Sequence, residues 1–239
     1  MASIADDSSI LDFSNLNAWD IATRYHEFKA RNSFAAYSKK LRELSAQAVL
    51  ERAQAILGSL VHPVEQRACP LNELPGDALH PDLELEETLE NAPLELSKNS
   101  HHEIWMSYQV HRKQPIVLTV DTSLSMTGEK LALTAVALAV VLLQFPEDPI
   151  GIIAFENEAK VLKRLDEKIS IQQLVEGFLD VPAQGYTHLE DGLRSALQQV
   201  QNGKGLGRPA STVLLTDGKY TAGRDPAYLG SRFPHLVVL

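Results

Sequence analysis

The stretch "DTSLSM", residues 121–126, sets an acid and two hydroxyls on alternate positions, Asp121, Ser123 and Ser125, directly after the apolar run "PIVLTV". Alternate residues of a short extended loop can point toward one centre. One carboxylate with two hydroxyls then offers hard oxygens of the kind that a divalent cation such as Mg²⁺ prefers, an ion that takes an octahedron of oxygens and keeps several waters. A second acid, Asp217, follows the apolar residues of "STVLLTD" and can approach the same place, and a loop from elsewhere could add one more hydroxyl. The plainer reading of "DTSLSM" is a helix N-cap, because Asp, Ser and Thr satisfy free amides and suit the positive end of a following helix. The two readings are compatible, since the helix end and the cation would lie close together.

The elements around these loops predict where they stand. "PIVLTV" is continuously apolar, as a strand covered on both faces should be. Periodicity predicts a helix over 128–145, a strand in "PIGIIAFENEAKVL", helices near "SIQQLVEGFL" and in "HLEDGLRSALQQVQ", and strands in "STVLLTD" and "HLVVL". Strands alternating with helices predict an α/β, doubly wound, mostly parallel sheet with right-handed crossovers. Ligands of such sheets gather outside the carboxyl ends of the strands, the edge on which both polar loops fall. The apolar stretch "LALTAVALAVVLLQF" is shorter than the roughly 20 residues a membrane span needs and reads as a helix buried on the sheet.

Upstream, residues 17–62 read as helical, with Leu41, Leu44, Ala48, Ala53, Ile56, Leu57 and Leu60 close to one face. That stripe needs a partner surface, either the remainder of the chain or another protein. Prolines 63, 70, 75 and 81, with Gly76 among them, predict an extended connector. "DLELEETLEN" (82–91) predicts a short acidic helix anchored by Leu83, Leu85 and Leu89, and "EIWMSYQV" has the period of a half-buried strand. The expected organisation is a helical extension with a Pro-rich connector over 1–81 and the α/β domain over 82–239.

Composition bounds the function. The chain has 239 residues, 44% of them hydrophobic and 22% charged, which is the make-up of a folding globule. A net charge of −9 opposes any general attraction to nucleic acid or anionic lipid. Cys69 is the sole cysteine, so no internal disulfide can form and a reducing compartment is favoured. The start "MASIADDSSILDF" lacks the charge and apolar core of a secretory signal, which points to the cytoplasm.

From about Pro115 onward the sequence resembles a von Willebrand factor A (VWA) domain, and Asp121, Ser123 and Ser125 match that family's metal-ion-dependent adhesion site. "YTHLEDGL" matches the region that places Thr187 in the family's threonine role, with Gly192 and Leu193 as helix markers, and "LLTDG" places Asp217 in the role of the last acid. The resemblance implies that Ser123 and Ser125 bind Mg²⁺, or Mn²⁺, through their hydroxyls and that Thr187 binds directly or through water. It implies that Asp121 and Asp217 mostly hold coordinated waters, leaving one position open to an Asp or Glu of a protein partner. Leu124 and Tyr186 depart from the commonest form of the family, which often has Gly at both places; Tyr186 adds bulk beside the metal. The family's sheet usually continues after the strand matched by "HLVVL", whereas this sequence ends at Leu239, so a truncated or divergent member or a partner-covered edge is expected. "DLELEETLEN" followed by the basic "HRK" (111–113) resembles bacterial VWA proteins encoded alongside MoxR-type AAA+ ATPases. That implies an adaptor, not an enzyme, working with such an ATPase in protein-complex assembly or maturation.

Two rival classes remain open at this point. A metal-dependent hydrolase of phosphatase type would use the same ion as Lewis acid, with His188 as the one candidate base. A structural protein would carry a vestigial site and interact through the N-terminal stripe. Other features read plainly: "GKGLGRP" (203–209) follows a helix and precedes a strand, the reverse of a phosphate loop. His101 and His102 are adjacent and lack metal-ligand spacing, Cys69 has no evident base, and Asp225-Pro226 is a turn. Glu84, Glu86, Glu87 and Glu90 form a solvated face, with a docking surface for a basic partner as the alternative.

Overall fold

The computed structural model describes residues 16–29, 34–57, 64–91, 104–111, 113–183, 185–203 and 208–239. Along the chain run α1 (Ala18–Thr23), α2 (Tyr25–Lys29), α3 (Phe34–Ile56), β1 (Val64–Pro70), β2 (Leu79–Leu83), α4 (Leu85–Glu90) and β3 (Trp105–His111). They are followed by β4 (Ile116–Asp121), α5 (Glu129–Gln144), β5 (Ile150–Phe155), β6 (Ala159–Lys163), α6 (Ile171–Leu179), α7 (Leu189–Asn202), β7 (Ser211–Leu215), α8 (Ala227–Gly230) and β8 (Leu236–Val238). The chain divides into two compact units, Met1–Gly58 with Gln114–Leu239, and Ser59–Lys113. The expected boundary at residue 81 is therefore not where the structure divides.

The larger unit is built on a sheet of order β6-β5-β4-β7-β8. β4 pairs in parallel with β5 on one side and β7 on the other, β8 runs parallel to β7, and only the edge strand β6 is antiparallel. This is the mostly parallel, helix-covered sheet that the alternation of elements predicts. One detail differs: "PIGIIAFENEAKVL" is a hairpin of β5 and β6, because "ENE" turns the chain back after Phe155.

Both faces of β4 and β5 are buried, and successive side chains serve two cores. Leu118, Val120, Ile150, Ile152 and Ala154 face the cluster shared with α5 and α6. Val117, Ile153, Phe155 and Leu214 face the cluster shared with α7, Leu229 and Phe233. α5 is 16 residues long, with Leu131, Ala132, Ala135, Val136, Leu138, Ala139 and Leu142 buried. No helix among the described residues is long and apolar enough to cross a membrane.

The N-terminal helices belong to this same unit, which answers what covers their apolar stripe: the rest of the chain does. Leu41, Ala46, Ala48, Val49 and Ala53 of α3 and Ile21, Ala22, Tyr25 and Phe28 of α1 and α2 join the cluster that α5 and α6 form on the sheet. Small side chains on α3 permit close helix packing. The stripe ends before Ile56 and Leu57, which are exposed, and Leu60 lies outside the described residues. Asn17 caps α1 reciprocally, accepting from Asp20 N–H at 2.8 Å while Asp20 accepts from Asn17 N–H at 3.3 Å. Asp180, at the end of α6, accepts from the Tyr25 hydroxyl at 2.7 Å and pairs with Arg42 Nε at 2.9 Å, and its carbonyl accepts from Lys29 Nζ at 2.6 Å.

The smaller unit replaces the expected connector with a three-stranded antiparallel sheet of order β1-β3-β2. Pro70 ends β1, and Pro81 sits inside the edge strand β2 where the register shifts between Leu79 and Asp82. β3 is the predicted strand, with Tyr108 its most buried residue. The acidic helix is present as α4, yet Leu83, Leu85 and Leu89 are exposed instead of anchoring it. Glu86 and Glu90 are exposed and Glu84 and Glu87 half-buried, as a solvated face requires. His101 and His102 lie outside the described residues, and Cys69 is free and partly buried in β1.

Candidate metal centre

Asp121 is the last residue of the central strand β4, and its neighbours β5 and β7 end level with it, at Phe155 and Leu215. The carboxyl edge of the sheet thus brings together the residues that follow these strands. Asp121 is fully buried, and both of its oxygens are used: Oδ1 accepts from Ser123 N–H at 2.8 Å and Oδ2 from the Thr216 hydroxyl at 2.7 Å. The first bond folds the loop back on its own acid; the second ties β4 to the chain leaving β7.

The loop then enters a single 3-10 turn, Leu124–Met126, and Gly128 adopts φ of +74°, which admits the reversal into α5 at no steric cost. Ser123 is 2% exposed while Ser125 is exposed, and their hydroxyl oxygens stand 3.2 Å apart. Adjacent vertices of an octahedron with metal–oxygen distances of about 2.1 Å are about 3 Å apart, so this pair has the spacing of two ligands on one hard cation. The helix-cap reading is not what the loop does: Ser123, which precedes the 3-10 turn, makes no side-chain cap bond, and the residue at the N-cap of α5 is Gly128, which has no side chain to offer.

Thr187 lies in the loop before α7 and is 5% exposed. Its loop touches the serine loop through Leu124 N–H, which donates to Gly185 O at 3.5 Å. Asp217 lies two residues beyond β7, exposed, with Oδ1 accepting from Lys219 N–H at 3.3 Å. Asp121, Ser123 and Ser125 are joined directly by hydrogen bonds, Asp217 through its neighbour Thr216, and Thr187 through the backbone around it. Among the described residues, neither the Thr187 hydroxyl nor the Asp217 carboxylate hydrogen-bonds a serine. The donor set is hydroxyls and carboxylates, hard oxygens throughout, and it fits Mg²⁺ or Mn²⁺ better than a soft ion.

Sequence reasoning missed the residues that hold these loops. Thr216 bridges Asp121 and the "DG" turn, accepting from Gly218 N–H at 3.2 Å while it donates to the acid. Glu156 and Asn157, in the β5–β6 turn, fix the Thr187 loop: Gly185 N–H donates to Glu156 Oε2 at 2.8 Å and Tyr186 N–H to Asn157 Oδ1 at 2.9 Å. The packing is close enough that a Cβ on Gly185 would meet Asn157 at 2.3 Å. The available signal was an acid and an amide immediately after an apolar strand, at the same sheet edge.

His188 is engaged elsewhere. Its Nδ1 lies 3.0 Å from Asn157 O, which can only accept, so Nδ1 carries the proton. Its backbone N–H donates to Glu156 O at 2.7 Å, and its ring lies where a Cβ on Gly223 would be. A ring held in this way secures the loop, and its Nε2, which keeps the lone pair, lies against Gly223.

A mostly parallel sheet with helices on both faces and a polar site at its carboxyl edge is the architecture of a VWA domain. Residues 116–219 match the family model described as von Willebrand factor type A domain, and this part of the chain has the VWA fold, with the N-terminal helices in addition. No curated protein matches the chain.

Solved structures similar to it include proximal thread matrix protein 1 from the mussel byssus, at 20% identity over 53% of this chain and 36% of that one, with a TM-score of 0.44. The same protein with a zinc-occupied metal-ion-dependent adhesion motif is 19% identical over 53% of this chain and 37% of that one, with a TM-score of 0.41. The domain of the type V pili tip protein Mfa5 from Porphyromonas gingivalis is 20% identical over 47% of this chain and 40% of that one, with a TM-score of 0.37. The matched region thus spans 36 to 40% of the length of these structures.

Proposed function

We propose that the larger unit is a metal-dependent protein-binding module in which Ser123 and Ser125 hold Mg²⁺ or Mn²⁺, Thr187 completes the protein's share directly or through water, and Asp121 and Asp217 orient bound waters. The single observation that carries this reading is the pair of serine hydroxyls at octahedral-edge spacing, 3.2 Å, seated on a buried carboxylate whose own oxygens are already committed. Bound there, the ion would supply an electrophilic position for an Asp or Glu of a partner protein. The chain's own residues hold the hydroxyls at the surface end of a rigid strand and keep the negative charge of the site to two carboxylates, which leaves the cation attractive to a third.

The surroundings support a partner that is a protein. Leu124, Tyr186 and Tyr220 are 62%, 68% and 46% exposed, and each lies on one of the three loops that carry the site residues. Bulky apolar side chains at a polar site favour contact with a macromolecular surface. The hydrolase alternative keeps one candidate base, because the Nδ1 bond of His188 to Asn157 O leaves Nε2 its lone pair. The structural alternative loses its proposed surface, because the N-terminal stripe is buried within the unit.

The partner class rests on the sequence resemblance alone: an adaptor in the cytoplasm for a MoxR-type AAA+ ATPase, acting in protein-complex assembly or maturation. Calorimetric titration with MgCl₂ and MnCl₂ tests the site, with binding expected for the parent and absent in Asp121→Ala; equal heats in both refute it. Affinity capture from the native host with and without chelator tests the partner, with a metal-dependent ATPase expected in the eluate.

A further inference from the structure

The chain that follows Asp217 does not simply leave the site. It crosses beneath the Thr187 loop and bonds to both backbone groups of Thr187. The Thr221 hydroxyl accepts from Thr187 N–H at 3.0 Å, and Thr187 O accepts from Thr221 N–H at 3.1 Å and from Ala222 N–H at 3.3 Å. Thr221 and Ala222 together thus tether both backbone groups of Thr187, four and five residues after Asp217, the other outer member of the proposed site.

The segment is itself clamped further along. Glu190, on the first turn of α7 and 6% exposed, accepts from Arg224 N–H at 2.9 Å through Oε2 and from the Tyr228 hydroxyl at 2.5 Å and Arg194 at 2.7 Å through Oε1. Arg194 also donates to the Tyr228 hydroxyl at 2.8 Å, which closes the cluster. The Tyr228 hydroxyl, the Arg224 amide and Arg194 together hold the Glu190 carboxyl at about 2, so the clamp is charged at every ordinary pH. Between the two attachments Gly223 takes φ of +83° and lies flat against the His188 ring. None of these groups belongs to the proposed metal-ligand set.

We propose that Thr221, anchored through Arg224 by Glu190, is a positioning residue that locks Thr187 and the Asp217 loop into one piece and so sets the affinity of the metal site. The inference rests on the metal-binding reading above. Its physical basis is general: groups that orient metal-binding residues typically change affinity by about 10- to 100-fold when removed.

The test is calorimetry with MnCl₂ on the full chain, for the parent, Thr221→Val, Thr221→Ser and Tyr228→Phe, alongside melting without metal. Thr221→Val removes only the acceptor for Thr187 N–H and is expected to weaken Mn²⁺ binding at least tenfold while melting near the parent. Thr221→Ser restores the acceptor and should bind like the parent. Tyr228→Phe loosens the clamp from a distance and should weaken binding by a smaller factor; it carries the test if Thr221→Val does not fold. Parent-like binding by both Thr221→Val and Tyr228→Phe overturns the positioning role while leaving the metal site standing. Weak binding by Thr221→Ser also overturns it, since the acceptor would then not be the cause. No binding by the parent refutes the metal site and the inference with it.

Discussion

At the scale of single residues, the proposed site depends on serine hydroxyls whose loop is held by Asp121 and Thr216. Asp121 takes one hydrogen bond from its own loop and one from Thr216, so its removal strips one buried and one part-buried donor of their partner. Asp121→Ala is expected to lose metal binding and also about 1–3 kcal/mol of stability per orphaned donor at most, measured by urea denaturation without metal. Thr216→Val should separate these effects: the Asp121 carboxylate remains but loses a donor, so affinity falls while some binding survives in the same titration. Of this arrangement, Asp121, Ser123, Ser125 and Asp217 were legible from spacing, because period-2 alternation and strand ends are local properties. Thr216 was not, since a threonine beside an acid carries no signal until β4 and β7 are known to be neighbours.

Individual elements are limited by how closely they approach one another. α7 crosses β5 so tightly at Gly192 that a Cβ there would stand 2.7 Å from the Phe155 ring, whereas nothing lies within 4 Å of a Cβ on Gly177 in α6. Both are helical glycines, and alanine in a helix gains up to about 1 kcal/mol over glycine. Gly192→Ala is expected to lose about 1–3 kcal/mol net, because overpacking against a buried ring outweighs that gain, and Gly177→Ala to gain about 0.5–1 kcal/mol. Denaturation midpoints of the two variants check both signs. Sequence marked Gly192 through the family pattern but could not separate it from Gly177 in physical terms. The β5–β6 hairpin and the β1–β3 sheet were misjudged at this scale for a related reason: short polar turns and prolines break periodicity whether or not strands resume on the far side.

Across the larger unit, α1 to α3 and the sheet share one core and should unfold together. Val49 is fully buried in that core, so Val49→Ala should cost about 1–3 kcal/mol and shift the whole transition. Followed in a Trp105→Phe background, Trp19 fluorescence and far-UV ellipticity are expected to move in coincident transitions; separate midpoints would show that the helices fold independently. The same layer gives the unit a pH dependence. His26 Nε2 is buried without a hydrogen-bond partner among the described residues, and burial first, then the Lys29 charge, lower its pKa from 6.5 to about 4 against the opposing pull of Asp180 and Glu156. The unfolded chain binds the proton more readily, so this contribution is complete above pH 6.5 and is lost as pH falls through 4. Stability of the parent should fall more steeply between those values than that of His26→Phe, read from urea midpoints at pH 7 and pH 4.5.

The sequence by itself determined the alternation of strands and helices, the carboxyl-edge loops and the ligand-type residues on them, because each follows from local periodicity or from a short motif. Only the tertiary structure decided that the N-terminal stripe is consumed within its own unit, that the proline-rich stretch is a sheet, and that Thr216, Glu156 and Thr221 hold the site in shape. Those outcomes depend on which surfaces meet after strands far apart in sequence become neighbours, and a residue's identity does not record what will be packed against it.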